Sequence, residues 1–259
     1  MSEMKKLVSV VIPAYNAEKT LTEAVDSVLC QTWPELEILI VDDCSRDGTW
    51  ALAGRLAEKD RRIRVFRNEE NRGVSYSRNF GARMAEGEYV ALLDSDDLWA
   101  PDKLEKQMGL AEQHPEGSLF YTGSAFISPE GRHNGYIFSV PERVDRRTLL
   151  RQNVISCSSV LLRRETFLRH PMGNDAIHED FALWLQLLRE EPFAWGVNEP
   201  LLIYRVSPNS KSGNKIKAAR MTFGTYRAAG ESWPSILWNG VFYTIRGIQK
   251  FRSIAAAWE

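Results

Sequence analysis

The segment Asp94-Ser95-Asp96-Asp97 directly follows the apolar run Tyr89-Val90-Ala91-Leu92-Leu93. Acids two apart at the mouth of a buried strand can share a hard divalent cation, which takes oxygen ligands and bridges readily to diphosphate oxygens. The pattern predicts a Mg2+ or Mn2+ clamp for a nucleotide diphosphate, with Asp96 and Asp94 as ligands. A helix N-terminal cap competes as an explanation for Asp97 and Asp102. One cap needs one Asp, whereas this segment has three.

Two further acids, Asp42 and Asp43, follow Ile38-Leu39-Ile40-Val41. A carboxylate at a strand end can accept a hydrogen bond from a base imide N–H or from ribose hydroxyls. For Ser45 and Asp47, just ahead of Gly48-Thr49, a turn or helix cap is the better reading. Tyr15, in Pro13-Ala14-Tyr15-Asn16 after the first apolar run, offers a flat ring on which a base can stack. Gly73 precedes Val74-Ser75-Tyr76-Ser77-Arg78-Asn79, and glycine ahead of a helix permits close backbone approach to a ligand. Arg78 has two readings: a bidentate donor to phosphate oxygens, or an ion-pair partner that orients the neighbouring acids.

Positioning these residues requires short strands alternating with helices. Strands are predicted at 8–12, 37–41, 63–67 and 88–93, and helices at 18–29, 50–59 and 75–85. This rhythm predicts an α/β fold with a mainly parallel, Rossmann-like sheet flanked by helices, and ligand sites at the C-terminal ends of its strands. Further on, the pattern predicts a helix at 102–113, strands at 119–127 and 159–162, and a helix at 178–189. The reading divides the chain into a nucleotide-sugar-binding half (1–110), an acceptor and catalytic-base half (111–210) and a basic, aromatic helical extension (211–259).

A chain of 259 residues can bury a sizeable core. With 44% hydrophobic and 26% charged residues, it is neither disordered nor wholly membrane-embedded. The formal net charge of −1 is unevenly placed: residues 200–259 carry nine Lys or Arg against Glu231 and Glu259. A basic segment on an acidic body predicts attraction to lipid headgroups or phosphates. Cys30, Cys44 and Cys157 have neither disulfide-framework nor zinc spacing, which predicts a reducing cytoplasm. The start of the chain leads straight into a predicted strand, without a signal-peptide core. No apolar stretch reaches the ~18 residues needed to cross a bilayer.

In order and spacing, four segments resemble glycosyltransferase family 2: Val8-Ser9-Val10-Val11-Ile12-Pro13-Ala14-Tyr15-Asn16, Ile40-Val41-Asp42-Asp43-Cys44-Ser45, Asn71-Arg72-Gly73-Val74-Ser75 with Ser77-Arg78-Asn79, and Leu93-Asp94-Ser95-Asp96-Asp97. The resemblance covers the first 100 residues and implies the GT-A fold. It implies that Tyr15 and Asp43 contact uracil, with Pro13 and Asp42 close by, and that Asp94-Ser95-Asp96 is the DxD element for ribose and metal. His178-Glu179-Asp180 resembles the family's Glu-Asp pair, in which the Asp is the general base. The chemistry makes the same demand, because an acceptor hydroxyl attacking an anomeric carbon must lose its proton.

The stretch Leu202-Ile203-Tyr204-Arg205-Val206-Ser207-Pro208-Asn209-Ser210-Lys211-Ser212 also resembles the family. Many relatives have His where Ser207 stands, and that His can complete the metal shell; here Asp96, the diphosphate and water are left to do so. Arg205, Lys211 and Lys215 are candidates for neutralising the departing diphosphate. The implied activity is an inverting, metal-dependent hexosyl transfer from a UDP-sugar, UDP-glucose or UDP-galactose, to an undecaprenyl-diphosphate-linked saccharide in bacterial O-antigen, capsule or teichuronic-type synthesis. Expected partners are that donor, that acceptor and the cytoplasmic face of the inner membrane, with no nucleic acid. Trp233, Ile236, Leu237, Trp238, Val241, Phe242, Tyr243, Ile245, Ile248, Phe251, Ile254 and Trp258, interleaved with Arg246, Lys250 and Arg252, suit either an interfacial helix or a helix packing on the body or on a second subunit.

Two alternatives carry different consequences. A nucleotidyltransferase also pairs acids on a Rossmann-like sheet, but usually opens with a Gly-rich basic loop where this chain has Pro13-Ala14-Tyr15-Asn16-Ala17. A non-catalytic sugar-nucleotide-binding protein would have lost its acids, and Asp43, Asp94, Asp96 and Asp180 are all present.

Overall fold

The computed structural model describes residues 6–173, 175–206 and 215–258. Its first two strands, β1 (Val8–Ala14) and β2 (Leu36–Asp42), are buried at every residue, as strands covered on both faces must be. They pair in parallel from Val8 opposite Leu36 to Ala14 opposite Asp42. β3 (Ile63–Arg67) joins the outer side of β2, and β4 (Tyr89–Leu92) joins the other side of β1, both in parallel. The crossovers are α1 (Leu21–Leu29), α2 (Thr49–Lys59) and α3 (Val74–Met84). α3 lies directly on β1, because a Cβ at Gly81 would collide with Val11.

The chain continues through β5 (Leu98–Trp99), α4 (Lys103–Gln113), β6 (Leu119–Ile127), β7 (His133–Phe138), β8 (Arg143–Val144) and α5 (Arg146–Arg151). A 3-10 turn (Cys157–Ser159), β9 (Leu161–Arg163), α6 (Arg164–Arg169), α7 (Glu179–Glu190) and β10 (Ala194–Arg205) follow. Among the described residues one sheet runs in the order β3-β2-β1-β4-β9-β6-β10-β5, with β7 on β6 and β8 on β10. β6 and β10 are parallel, while β9 runs antiparallel between β4 and β6. The strand expected at 159–162 thus begins two residues later, after the 3-10 turn. The expected division at residue 110 falls inside α4, and the sheet is continuous across it.

Alternate residues of the strands face two cores. Val11, Leu39, Val90 and Leu92 pack with Phe181, Trp184 and Leu185 of α7, whereas Val10, Ile12, Ile38, Ile40 and Ala91 pack with α1, α2 and α4. β10 escaped the sequence reading, which assigned no strand to 194–205. Its apolar pattern is broken at Asn198-Glu199-Pro200, where the pairing with β6 also shifts register. α8 (Lys215–Ala228) and α9 (Trp233–Ala256) form the expected helical extension and close the first core with Tyr226, Ile236 and Ile254.

Candidate active site

Parallel register brings Ala14 beside Asp42 and Val11 beside Leu92, so the turns that follow β1, β2 and β4 open on one edge of the sheet. At that edge Asn16 and Cys44 hold left-handed backbone, with φ of 52° and 60°. Such conformations are costly for residues with a Cβ and persist where surrounding contacts enforce them. Here Asn16 N donates to Ser45 Oγ at 3.0 Å and Arg46 N donates to Asn16 Oδ1 at 2.9 Å, joining the two turns. The arrangement leaves Tyr15 45% exposed, while Pro13 is buried behind it.

Asp42 is fully buried, ion-paired with Arg67 at 3.1 Å, and accepts from Ser45 N. Asp43 accepts from Asn68 Nδ2 at 2.7 Å, Arg72 N at 2.9 Å and Gly73 N at 2.8 Å. These bonds fix the backbone ahead of α3, where Gly73 has a φ of 88°. An ionised carboxylate has about four acceptor positions, so one remains on Asp43 for a ligand donor.

The acidic segment is a turn closed by Asp97 N donating to Asp94 O at 3.1 Å, with half-buried Ser95 and Asp96 at its centre. Asp94 N donates to Ser158 Oγ at 3.1 Å. Arg78 is 3% exposed and donates through Nη2 to Asp94 Oδ1 at 2.5 Å and through Nη1 to Glu179 Oε1 at 3.1 Å. Of its two readings, the structure shows the ion pair that orients acids. These carboxylates hold the guanidinium charged against the penalty of burial.

The same face of α3 grips the approach to α7. Ser75, Arg78 and Asn79 lie one helical turn apart. Ser75 donates through N and Oγ to Asp175, and Asn79 exchanges two bonds with the Met172 backbone at 2.8 and 2.9 Å. Asp180 sits in the first turn of α7, immediately after Glu179. Burial, reinforced by Glu179, raises its pKa to about 6. Burial also raises Asp96 to about 6, with the Asp94 charge adding to the shift. Asp97 is pushed well above the carboxylate range by burial and by Asp96. Its Oδ1 accepts from Arg205 N at 2.9 Å, and its Oδ2 has no hydrogen-bond partner among the described residues.

Arg205, a candidate for neutralising the departing diphosphate, has its guanidinium turned into the protein and buried. Nε donates to Asp96 O at 2.8 Å, Nη1 to Pro129 O at 3.0 Å, and Nη2 to Glu23 Oε2 at 2.5 Å. It therefore braces the acidic turn from behind. Lys211 and Ser207 lie outside the described residues.

The donor set at the turn suits a divalent ion. Asp94 and Asp96 offer hard oxygens, and burial together with the neighbouring Asp94 charge disfavours ionised Asp96, a penalty that a cation would offset. Among the described residues no group of three or more His, Cys, Asp or Glu is placed to hold an ion. Its remaining ligands would have to come from diphosphate and water.

Sequence reasoning gave Ser158 and Asp175 no role and read Tyr243 only as part of the aromatic C-terminal stretch. Ser158 anchors Asp94, and Asp175 ties down the segment before α7. Tyr243 of α9 stacks on Phe181, with ring centroids 5.6 Å apart, and burial together with the Asp180 charge pushes its phenol up. Each acts across a long sequence separation that no local motif reports.

The family model for Glycosyl transferase family 2 matches residues 9–169. TuaG of Bacillus subtilis, a candidate teichuronic acid biosynthesis glycosyltransferase, is 40% identical over 227 residues, covering 88% of this chain and 90% of TuaG. WfaP of Escherichia coli, a UDP-Glc:α-D-GlcNAc-diphosphoundecaprenol β-1,3-glucosyltransferase, is 35% identical over 212 residues, 82% of each chain. The mannosyltransferase PcManGT of Pyrobaculum calidifontis, solved with GDP-Man and Mn2+, superposes with a TM-score of 0.71 at 20% identity, covering 98% of this chain and 74% of PcManGT. That likeness establishes the GT-A fold expected from the sequence. The chain is a glycosyltransferase and belongs to glycosyltransferase family 2.

Proposed function

We propose that the chain transfers a hexose, with inversion, from UDP-glucose or UDP-galactose to a hydroxyl of a saccharide carried on undecaprenyl diphosphate. One observation supports this reading above the others: Arg78 joins the acidic turn to Glu179, the residue next to Asp180. Tyr15 is free to stack on uracil, and Asp43 retains an acceptor position for the base. Asp94-Ser95-Asp96 faces the ribose and diphosphate. Asp96 and Asp94 would hold a divalent ion, which would supply positive charge to the departing diphosphate.

Asp180 takes the proton of the acceptor hydroxyl as its oxygen bonds to the anomeric carbon and the bond to UDP breaks. Attack opposite the leaving group turns an α-linked donor into a β-glycoside. The similarity to WfaP supports both the donor and the lipid-linked acceptor, and that to TuaG supports a role in surface-polymer synthesis. An acceptor of this kind places the work at the cytoplasmic surface of the inner membrane.

The test is a screen of UDP-sugars with a synthetic α-GlcNAc-diphosphate-lipid, followed by determination of the product's anomeric configuration. A β-linked product formed only with divalent metal supports the reading. An α-linked product, or no transfer from any UDP-sugar, overturns it.

A further inference from the structure

We propose that the outer face of α9 is a seat for an anionic phospholipid bilayer, with the helix lying in the plane of the surface. The inner face of α9 is covered, with Ile236, Asn239 and Ile254 buried and Tyr243 packed on Phe181. On the opposite face Trp233, Leu237, Trp238, Val241, Ile245 and Ile248 are all exposed, Leu237 at 68%. At 100° per residue these six form one stripe about four turns long. A contiguous apolar patch of this kind marks an interaction surface.

The charges around the stripe identify what covers it. Exposed Arg227 of α8 stands at its N-terminal end, 5.3 Å from the centre of the Trp233 ring, exposed Arg220 lies two turns earlier on α8, and exposed Arg252 closes the other end of the stripe. Glu231 is the one acid between residues 215 and 258, and it is paired with Arg146 at 2.5 Å. Two copies joined through this face would set arginine ends against arginine ends whether the helices ran parallel or antiparallel, a like-charge arrangement that opposes pairing. Anionic headgroups complement the same cations, and tryptophan is at home at that depth. No described helix is long and apolar enough to cross a membrane, so α9 would lie on the surface.

The position has a consequence for catalysis that rests on the lipid-linked acceptor. Tyr243 faces the Asp180 side of the helix while the stripe faces away, and a helix with its side chains is about 10–12 Å across. A diphosphate at headgroup depth would thus hold its saccharide within reach of the base.

Flotation of the full chain with phosphatidylcholine vesicles, with and without 30% phosphatidylglycerol, tests the seat. Wild type should float with the anionic vesicles, and L237E/I245E should lose that binding by at least about tenfold while keeping its melting temperature and UDP binding. The variant R220Q/R227Q/R252Q should bind both vesicle types alike, since each arginine near the surface contributes about fivefold. Equal flotation of L237E/I245E and wild type would overturn the proposal. So would a lipid-free wild-type dimer that L237E/I245E converts to monomer. If L237E/I245E fails to fold, the arginine variant and wild-type tryptophan quenching by brominated lipid decide instead, and absence of quenching rejects the seat. Vesicle binding without any glycosyl transfer would refute the acceptor reading and leave the seat standing.

Discussion

Arg78 Nη1 lies 3.1 Å from Glu179 Oε1, although the two residues are 101 positions apart. The second nitrogen of the same guanidinium reaches Asp94, so one planar fork spans the donor-binding turn and the helix that carries the base.

Replacing that fork should cost more than one bond. Arg78→Met removes the ion pairs to Asp94 and to the buried Glu179, and removing one partner of a buried pair destabilises by about 3–5 kcal/mol. Loss of transfer and a lowered melting temperature are expected together. Arg78→Lys should regain much of the stability but little of kcat, because one ammonium cannot serve both carboxylates in the same geometry. Wild-type kcat in the lysine variant would show that the bridge does not position the base.

The raised pKa of Asp180 sets a pH dependence. A general base must be ionised, so transfer should fall as pH drops through about 6, roughly tenfold per unit below it. Saturating metal and UDP-sugar keep Asp96 ionised and isolate this limb. For stability the sign is opposite. The folded pKa lies above the ordinary value of 3.8, so burying the ionised group lowers stability above about pH 6, and that loss disappears as pH falls toward 3.8. Asp180→Asn should therefore raise the melting temperature at pH 7.5, and the gain should shrink near pH 4.

Asp96→Asn keeps the shape of the turn and removes a charged ligand. Metal-dependent binding of UDP should weaken by about tenfold or more in calorimetric titrations, whereas binding in EDTA should be little altered. Identical titrations for variant and wild type in Mn2+ would remove Asp96 from the metal site.

Arg205→Lys separates bracing of the acidic turn from contact with the diphosphate. Loss of bonds to Asp96 O, Pro129 O and Glu23 should lower the melting temperature and leave the KM for the donor near wild type. A large rise in donor KM with unchanged stability would restore the diphosphate contact.

The first 100 residues made the fold and much of the site legible because each motif is local: an apolar run followed at once by the polar residues it delivers. Asp42, Asp43 and Asp94 sit at the strand ends that this pattern predicts. What the sequence concealed is pairing across distance. Nothing beside Arg78 selects Glu179 over a phosphate, and nothing beside Arg205 shows that Asp96 O, Pro129 O and Glu23 will surround it. β10 was hidden for a related reason, since Asn198-Glu199-Pro200 breaks its alternation where the register shifts.

Asp180 is proposed to accept the acceptor's proton while other residues hold the donor. Single-turnover transfer by Asp180→Asn, with UDP affinity measured on the same preparation, separates the two roles. Transfer should fall by at least about 100-fold at wild-type UDP affinity. Full transfer by this variant would contradict the role of Asp180 as base.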